Sequence, residues 1–70
     1  MTTAPHLTAR EHAVFVRFAE GQTLASIGRS MGLNDAQVAY TAVHLRRIFG
    51  IADNQEFGRI YNTPNAWRFR

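Results

Sequence analysis

The stretch NDAQVAYTAVHLRRIFG, residues 34–50, decides the fold because it carries the signals of one complete amphipathic helix. Asn34 can cap its start, since the side-chain oxygen accepts a backbone N–H that has no partner inside the helix. Gly50 can end it, because glycine tolerates the left-handed conformation that follows many helices. The apolar residues recur at steps of four, three and four, which predicts one buried face. They are Val38, Ala42, Leu45 and Phe49.

The opposite face of this helix carries few charges. At about 100° per residue, the residues that point away from the apolar face are Ala36, Tyr40, Val43 and Arg47, flanked by Ala39 and His44. Arg46 borders the apolar face near the end of the helix. We expect its charge to interact with the helix dipole and to stabilise the helix by roughly 0.3–1 kcal/mol. Arg47 lies on the exposed face, which favours a binding role over the same dipole role.

Three further helices are predicted from similar signals. Their caps are Thr8 and Asp53, each with a glutamate three residues later (Glu11, Glu56) as in a capping box, and Thr23. Their apolar residues are Val14, Phe15 and Phe18, then Leu24, Ile27 and Met31, then Phe57 and Ile60 with Tyr61 at the edge. The sequence thus predicts an all-α domain of four short helices over residues 7–61, between an N-terminal arm (1–6) and a C-terminal tail (62–70).

Composition narrows the class of protein. The chain has 70 residues and no cysteine, so we expect a single domain without disulfides. All eight of its cations are arginine, and the net charge of +3 points weakly to nucleic acid. No signal peptide, membrane span, metal-ligand spacing or catalytic triad spacing is visible, and we expect no enzyme activity and no cofactor.

The second and third helices, joined by the turn MGLN, predict a helix-turn-helix. In such motifs the second helix of the pair enters the major groove of DNA. The pattern alone is moderately specific, because many glycine-joined helices pack together without binding DNA.

The run from Leu7 to Phe57 resembles the LuxR/FixJ-type (GerE-like) helix-turn-helix domain without gaps. LTARE resembles the family's LTxRE, and AEGQT resembles its AxGx(S/T). SIGRSMGLNDAQV and FGIAD resemble the two segments that follow in the family, EIAxxLxISxxTV and LGVx(N/D). The resemblance implies four helices, with the third as the recognition helix and the fourth often forming a homodimer contact.

The resemblance also implies the residues that meet DNA. The family's usual contact positions fall at Ala39, Tyr40, Val43 and Arg47, and Gln37 falls where a threonine commonly lies near phosphate. Family members often have Lys or Arg at the positions of Ala39 and Val43. We therefore expect this helix to recognise bases through contacts with thymine methyl groups and through hydrogen bonds, while the arginine at its end binds the DNA backbone. His44 and Thr23 complete the predicted DNA contacts.

A dimer and a cytoplasmic location complete this expectation. Phe57, Ile60 and Tyr61 of the fourth helix are the predicted dimer contacts. A dimer would place two recognition helices about one DNA turn apart, near roughly 34–36 Å. The chain would then be a stand-alone, sequence-specific transcriptional regulator that binds double-stranded DNA; a fragment of a longer regulator is the alternative.

A second interpretation gives the same fold a protein partner. Ala39, Tyr40 and Val43 would form an apolar patch for RNA polymerase or another regulator, because few charges and a central tyrosine are typical of interface cores. The tail is also open to two interpretations. Trp67, Arg68, Phe69 and Arg70 alternate aromatic and cationic side chains, which suits a DNA-contacting arm or a partner strap. We favour a tail that folds back, since exposing two large aromatics is costly in a chain this short.

Overall fold

Four helices and one pair of very short strands make up the fold in this computed structural model, which describes residues 4–69. The elements in chain order are β1 (His6–Leu7), α1 (Ala9–Ala19), α2 (Leu24–Met31), α3 (Asp35–Phe49), a 3-10 turn (Asn54–Glu56), α4 (Phe57–Tyr61) and β2 (Arg68–Phe69). The prediction of a mostly helical domain with four helices is confirmed. The strand pair corrects the expectation of a purely α-helical chain. Within residues 4–69, no helix has the length and apolar character needed to cross a membrane.

Side-chain caps start the first three helices where the sequence predicts them. Thr8 Oγ1 accepts from the backbone N–H of Glu11 at 3.2 Å, and Glu11 Oε1 accepts from that of Thr8 at 2.9 Å. Asn34 forms the same reciprocal box with Gln37, with distances of 2.8 and 2.9 Å. Because each box satisfies two N–H groups that lack helical partners, it fixes the residue at which the helix begins.

The cap before the 3-10 turn differs from its prediction. Asp53 Oδ1 accepts from the backbone N–H of Gln55 at 2.9 Å. The Glu56 carboxylate bonds chiefly elsewhere, since its Oε2 accepts from the backbone N–H of Ala52 at 3.0 Å. The predicted capping box is therefore replaced by two separate bonds, because the chain starts here with a tighter 3-10 turn rather than an α-helix.

Glu56 is expected to make stability pH-dependent. The backbone N–H of Ala52, together with Arg59 Nη2 at 2.9 Å, holds the pKa of the Glu56 carboxyl below its ordinary value. A lowered folded-state pKa stabilises the fold above the ordinary carboxyl pKa of about 4.3, and that contribution is lost as pH falls through the folded value. We expect Glu56→Gln to flatten the fall of stability in this acid range, measured by urea unfolding at a series of pH values. A variant that loses stability with acid as steeply as the parent would contradict this role.

The core lies between α1, α3 and α4, with α2 closing one side. Its buried apolar residues are Leu7, Val14, Phe15, Phe18, Ile27, Val38, Ala42, Leu45, Phe57 and Ile60. The predicted apolar face of α3 is confirmed at Val38, Ala42 and Leu45, while Phe49 is half-buried against the core. Thr41 is also buried, and its hydroxyl donates to the Gln37 carbonyl at 3.0 Å.

The C-terminal tail returns to the beginning of the chain and belongs to the same folded unit. β2 pairs in parallel with β1, with His6 opposite Arg68 and Leu7 opposite Phe69. The Trp67 ring stacks on Tyr61 with centroids 5.4 Å apart. The predicted fold-back is therefore confirmed for Trp67. Phe69 remains 53% exposed and stacks on the His12 ring at 4.2 Å. Arg70 lies outside the described residues.

Candidate nucleic-acid interface

The junction between α2 and α3 is a tight three-residue connection, residues 32–34. Gly32 adopts a φ of 68°, a conformation that side chains other than glycine rarely take. The backbone N–H of Leu33 donates to the Gly28 carbonyl at 2.8 Å, which closes the turn onto the end of α2. A Cβ atom on Gly28 would lie only 2.7 Å from the Leu33 carbonyl oxygen. The position of α3 relative to α2 therefore depends on two glycines.

The outer face of α3 is charge-poor and open. Tyr40 lies at its centre with 76% of its surface exposed. Ala36 is exposed, and Ala39 and Val43 are half-buried beside the tyrosine. These four residues, together with Arg47, define what we call the α3 face. The structure thus brings the predicted base-reading residues together on one side of one helix.

Two predicted DNA contacts, Gln37 and Thr23, already cap helices. The Gln37 side-chain oxygen accepts from the Asn34 backbone in the cap of α3. Thr23 Oγ1 accepts from the backbone N–H of Ser26 at 3.2 Å and caps α2. In both cases the oxygen is occupied while a donor group, the Gln37 amide N–H or the Thr23 O–H, makes no hydrogen bond within residues 4–69. Donors at helix starts suit phosphate oxygens, so these two residues remain candidates through their donors alone.

His44, a predicted DNA contact, has a partner within the fold while its side chain stays 51% exposed. His44 Nε2 lies 2.9 Å from Glu11 Oε2, which joins the exposed side of α3 to the first turn of α1. Sequence reasoning missed this pair, because 33 positions separate the two residues and no local period connects them. The Asn34–Gln37 capping box was missed too, although its three-residue spacing is a known signal for the start of a helix and could have been recognised from the sequence.

The two arginines at the end of α3 have different roles. The Arg46 guanidinium donates to the Asn54 side-chain oxygen and connects α3 to the 3-10 turn. Arg47 is exposed and makes no hydrogen bond or ion pair within the part of the chain that the structure describes. Arg46 thus makes a tertiary contact in addition to the helix-dipole role predicted for it, and Arg47 is the cation of α3 that is open to a ligand.

The predicted dimer contacts on α4 require correction. Phe57 has no exposed surface and Ile60 is 9% exposed, so both side chains belong to the core of the monomer. They are three residues apart and share the inward side of a helix of only five residues. Tyr61, at 40% exposure, is the predicted dimer residue that remains open.

An open cavity of about 460 Å³ lies where the end of α1, the start of α2 and the 3-10 turn meet. None of its lining residues has a carboxylate, imidazole, thiol or amine. They are Phe18, Ala19, Gly21, Gln22, Thr23, Leu24, Asn54, Gln55 and Gly58. This cavity therefore supplies no general acid or base. Across residues 4–69, no three His, Cys, Asp or Glu side chains are placed to hold a metal ion.

Comparisons with known proteins add no relative. No protein-family model, no curated protein and no solved structure matches the chain. Any function proposed for the α3 face therefore depends on the geometry and chemistry of its own residues and on the sequence resemblance.

Proposed function

We propose that this chain is a LuxR-type, sequence-specific DNA-binding transcriptional regulator that inserts α3 into the major groove. The observation that carries the proposal is the α3 face: an open side of a 15-residue helix that follows directly on a tight turn after α2. An α-helix fits the major groove, and the second helix of a helix-turn-helix is the one that enters it. The proposal includes that the chain acts as a homodimer in the cytoplasm.

The chemistry of the α3 face sets how it would read bases. Ala39 and Val43 offer methyl groups that can contact the thymine methyl. The Tyr40 hydroxyl can donate to or accept from a base edge or a phosphate. Arg47 can neutralise a phosphate or donate two bonds to guanine. Because the face has a single cation, discrimination would depend more on shape and methyl contacts than on charge.

Selection from a random pool of DNA duplexes tests the function directly. Enrichment of a palindromic motif, bound with an affinity that falls as salt rises, is the expected result. A protein that stays monomeric at high concentration and selects a single unrepeated half-site would contradict the dimer. A pool that shows no enrichment would contradict sequence-specific reading.

Replacing Arg47 by alanine is expected to weaken duplex binding and to reduce its salt dependence. Removal of one phosphate contact should make the plot of log affinity against log salt shallower by about 0.9. Arg59→Ala is the matched control, since it removes the same charge from a side chain that is already paired with Glu56 at 2.9 Å. Equal slopes for the Arg47 variant and the parent would remove Arg47 from the interface.

A second function has one specific observation in its favour. Tyr40 is the most exposed large apolar side chain among residues 4–69, and its neighbours Ala36 and Ala39 are small and uncharged. Tyrosine at the centre of a charge-poor patch is typical of a protein interface. Such a module would bind RNA polymerase or another regulator with little dependence on salt, and Tyr40→Ala would abolish that binding. Salt dependence therefore distinguishes the two functions.

A further inference from the structure

The first turns of α1 connect α3 to the C-terminal tail. Glu11 Oε2 contacts His44 of α3 at 2.9 Å. The next residue, His12, stacks its ring on Phe69 of β2 with centroids 4.2 Å apart. Consecutive Cα atoms are about 3.8 Å apart, so α3 and β2 approach the same short piece of α1 from two sides. The tail and α3 therefore both contact the first turn of α1.

Arg68 is held in place by its backbone while its side chain stays open. Its N–H donates to the Pro5 carbonyl at 2.9 Å, and β2 pairs with β1. Successive side chains of a strand point to opposite sides. Since Phe69 packs on His12, the exposed Arg68 side chain points away from α1, and it makes no hydrogen bond or ion pair within residues 4–69.

The charge of this region is positive. Arg10, in the first turn of α1, is exposed and, like Arg68, has no partner among the described residues. Glu11 is the one acidic residue in the segments 4–17 and 60–69. Both of its oxygens are occupied, one by the Thr8 backbone N–H and the other by His44. The potential next to the tail thus favours an anion.

We propose that Arg68 is a second DNA contact, which binds the phosphate backbone of the same duplex whose major groove receives α3. This inference depends on the proposed function and extends it, because it adds the tail to the DNA-binding surface. Arg47 at the end of α3 and Arg68 on β2 are both exposed, and contacts from both to one duplex would fix its orientation. Phosphate contacts position a protein on DNA, whereas base contacts give it specificity.

The aromatic residues of the tail favour a phosphate contact over stacking with unpaired bases. Tyr61 stacks on Trp67, Trp67 lies 5.2 Å from the His12 ring, and His12 stacks on Phe69. Each of these rings packs against a neighbouring ring, whereas proteins that bind single strands offer open ring faces to bases. The exposed Arg68 guanidinium, which makes no hydrogen bond or ion pair within residues 4–69, matches a duplex backbone.

Two substitutions at position 68 separate charge from structure. Affinity would be measured by fluorescence anisotropy over a range of salt, with a mixed-sequence duplex of about two helical turns, roughly 20 base pairs. We expect Arg68→Ala to reduce the slope of log affinity against log salt by about 0.9. The variant would then lose roughly threefold less affinity than the parent between about 50 and 200 mM salt. Arg68→Lys should restore the slope because it keeps the charge. Arg59→Ala, which also removes one positive charge, should leave the slope unchanged.

The outcomes separate this inference from the proposed function. If Arg47→Ala reduces the slope and Arg68→Ala does not, the tail contact is wrong and DNA binding by α3 stands. If Arg68→Lys loses as much as Arg68→Ala, the side chain does not act through its charge and the phosphate contact is wrong. If the unsubstituted chain does not bind the duplex, or binds it without salt dependence, the proposed function fails and this inference fails with it.

Discussion

Replacing Phe57 by alanine is expected to lower the free energy of unfolding by about 3–5 kcal/mol, the usual range for a buried phenylalanine. Phe57 has no exposed surface. Its ring lies 5.5 Å from that of Phe18 and 5.8 Å from that of Phe15. Truncation would leave a cavity among these rings that a domain of 70 residues can ill tolerate, because its total margin is small. Urea unfolding followed by circular dichroism measures the change.

Tyr61→Ala is the matched control on the same helix. Tyr61 is 40% exposed, so its removal should cost clearly less stability than that of Phe57. The pair of variants also tests where α4 places its apolar residues. If Phe57 stabilised a dimer rather than the monomer core, its loss would matter only at concentrations at which the chain associates. A destabilisation by Phe57→Ala that disappears on dilution would contradict the core position.

Local signals account for the part of the fold that the sequence predicts. Thr8, Thr23 and Asn34 begin their helices in the structure as expected, because a cap is a hydrogen bond between residues only two or three positions apart. The inward face of α3 follows from a period that is visible within four turns. The α3 face, as the opposite side of that helix, was predictable for the same reason.

Contacts between distant residues account for what was missed. The β1–β2 pair joins residues about 60 positions apart, and two-residue strands carry no pattern of their own. The Glu11–His44 contact likewise depends on how α1 and α3 pack. Phe57 and Ile60 were expected at a dimer surface through the resemblance to a family. In this chain, however, α4 spans five residues, and both Phe57 and Ile60 face the core.

Gly28→Ala is the second substitution with a large expected effect. We expect it to lower the free energy of unfolding, whereas the same change at Gly58 should raise it. The new Cβ would lie 2.7 Å from the Leu33 carbonyl oxygen, a backbone atom that cannot rotate away. The turn would have to open, at a cost of about 1–3 kcal/mol as for other overpacked sites. Because alanine is the better helix former by about 1 kcal/mol, net destabilisation requires that this clash exceeds the gain in helix propensity. We expect that it does, with a lower urea midpoint and, under the proposed function, weaker DNA binding, since the turn positions α3.

Gly58→Ala is the matched control for Gly28→Ala. A Cβ on Gly58 would lie 3.6 Å from the Ala19 carbonyl oxygen, an ordinary van der Waals contact. The substitution adds the same methyl group to another helical glycine, so it should gain helix propensity without a clash and be stabilising by up to about 1 kcal/mol. Equal stabilisation by both variants would mean that the α2–α3 turn has room for a side chain at position 28. The position of α3, and with it the orientation of any DNA it binds, would then not depend on the close approach of Gly28 to Leu33.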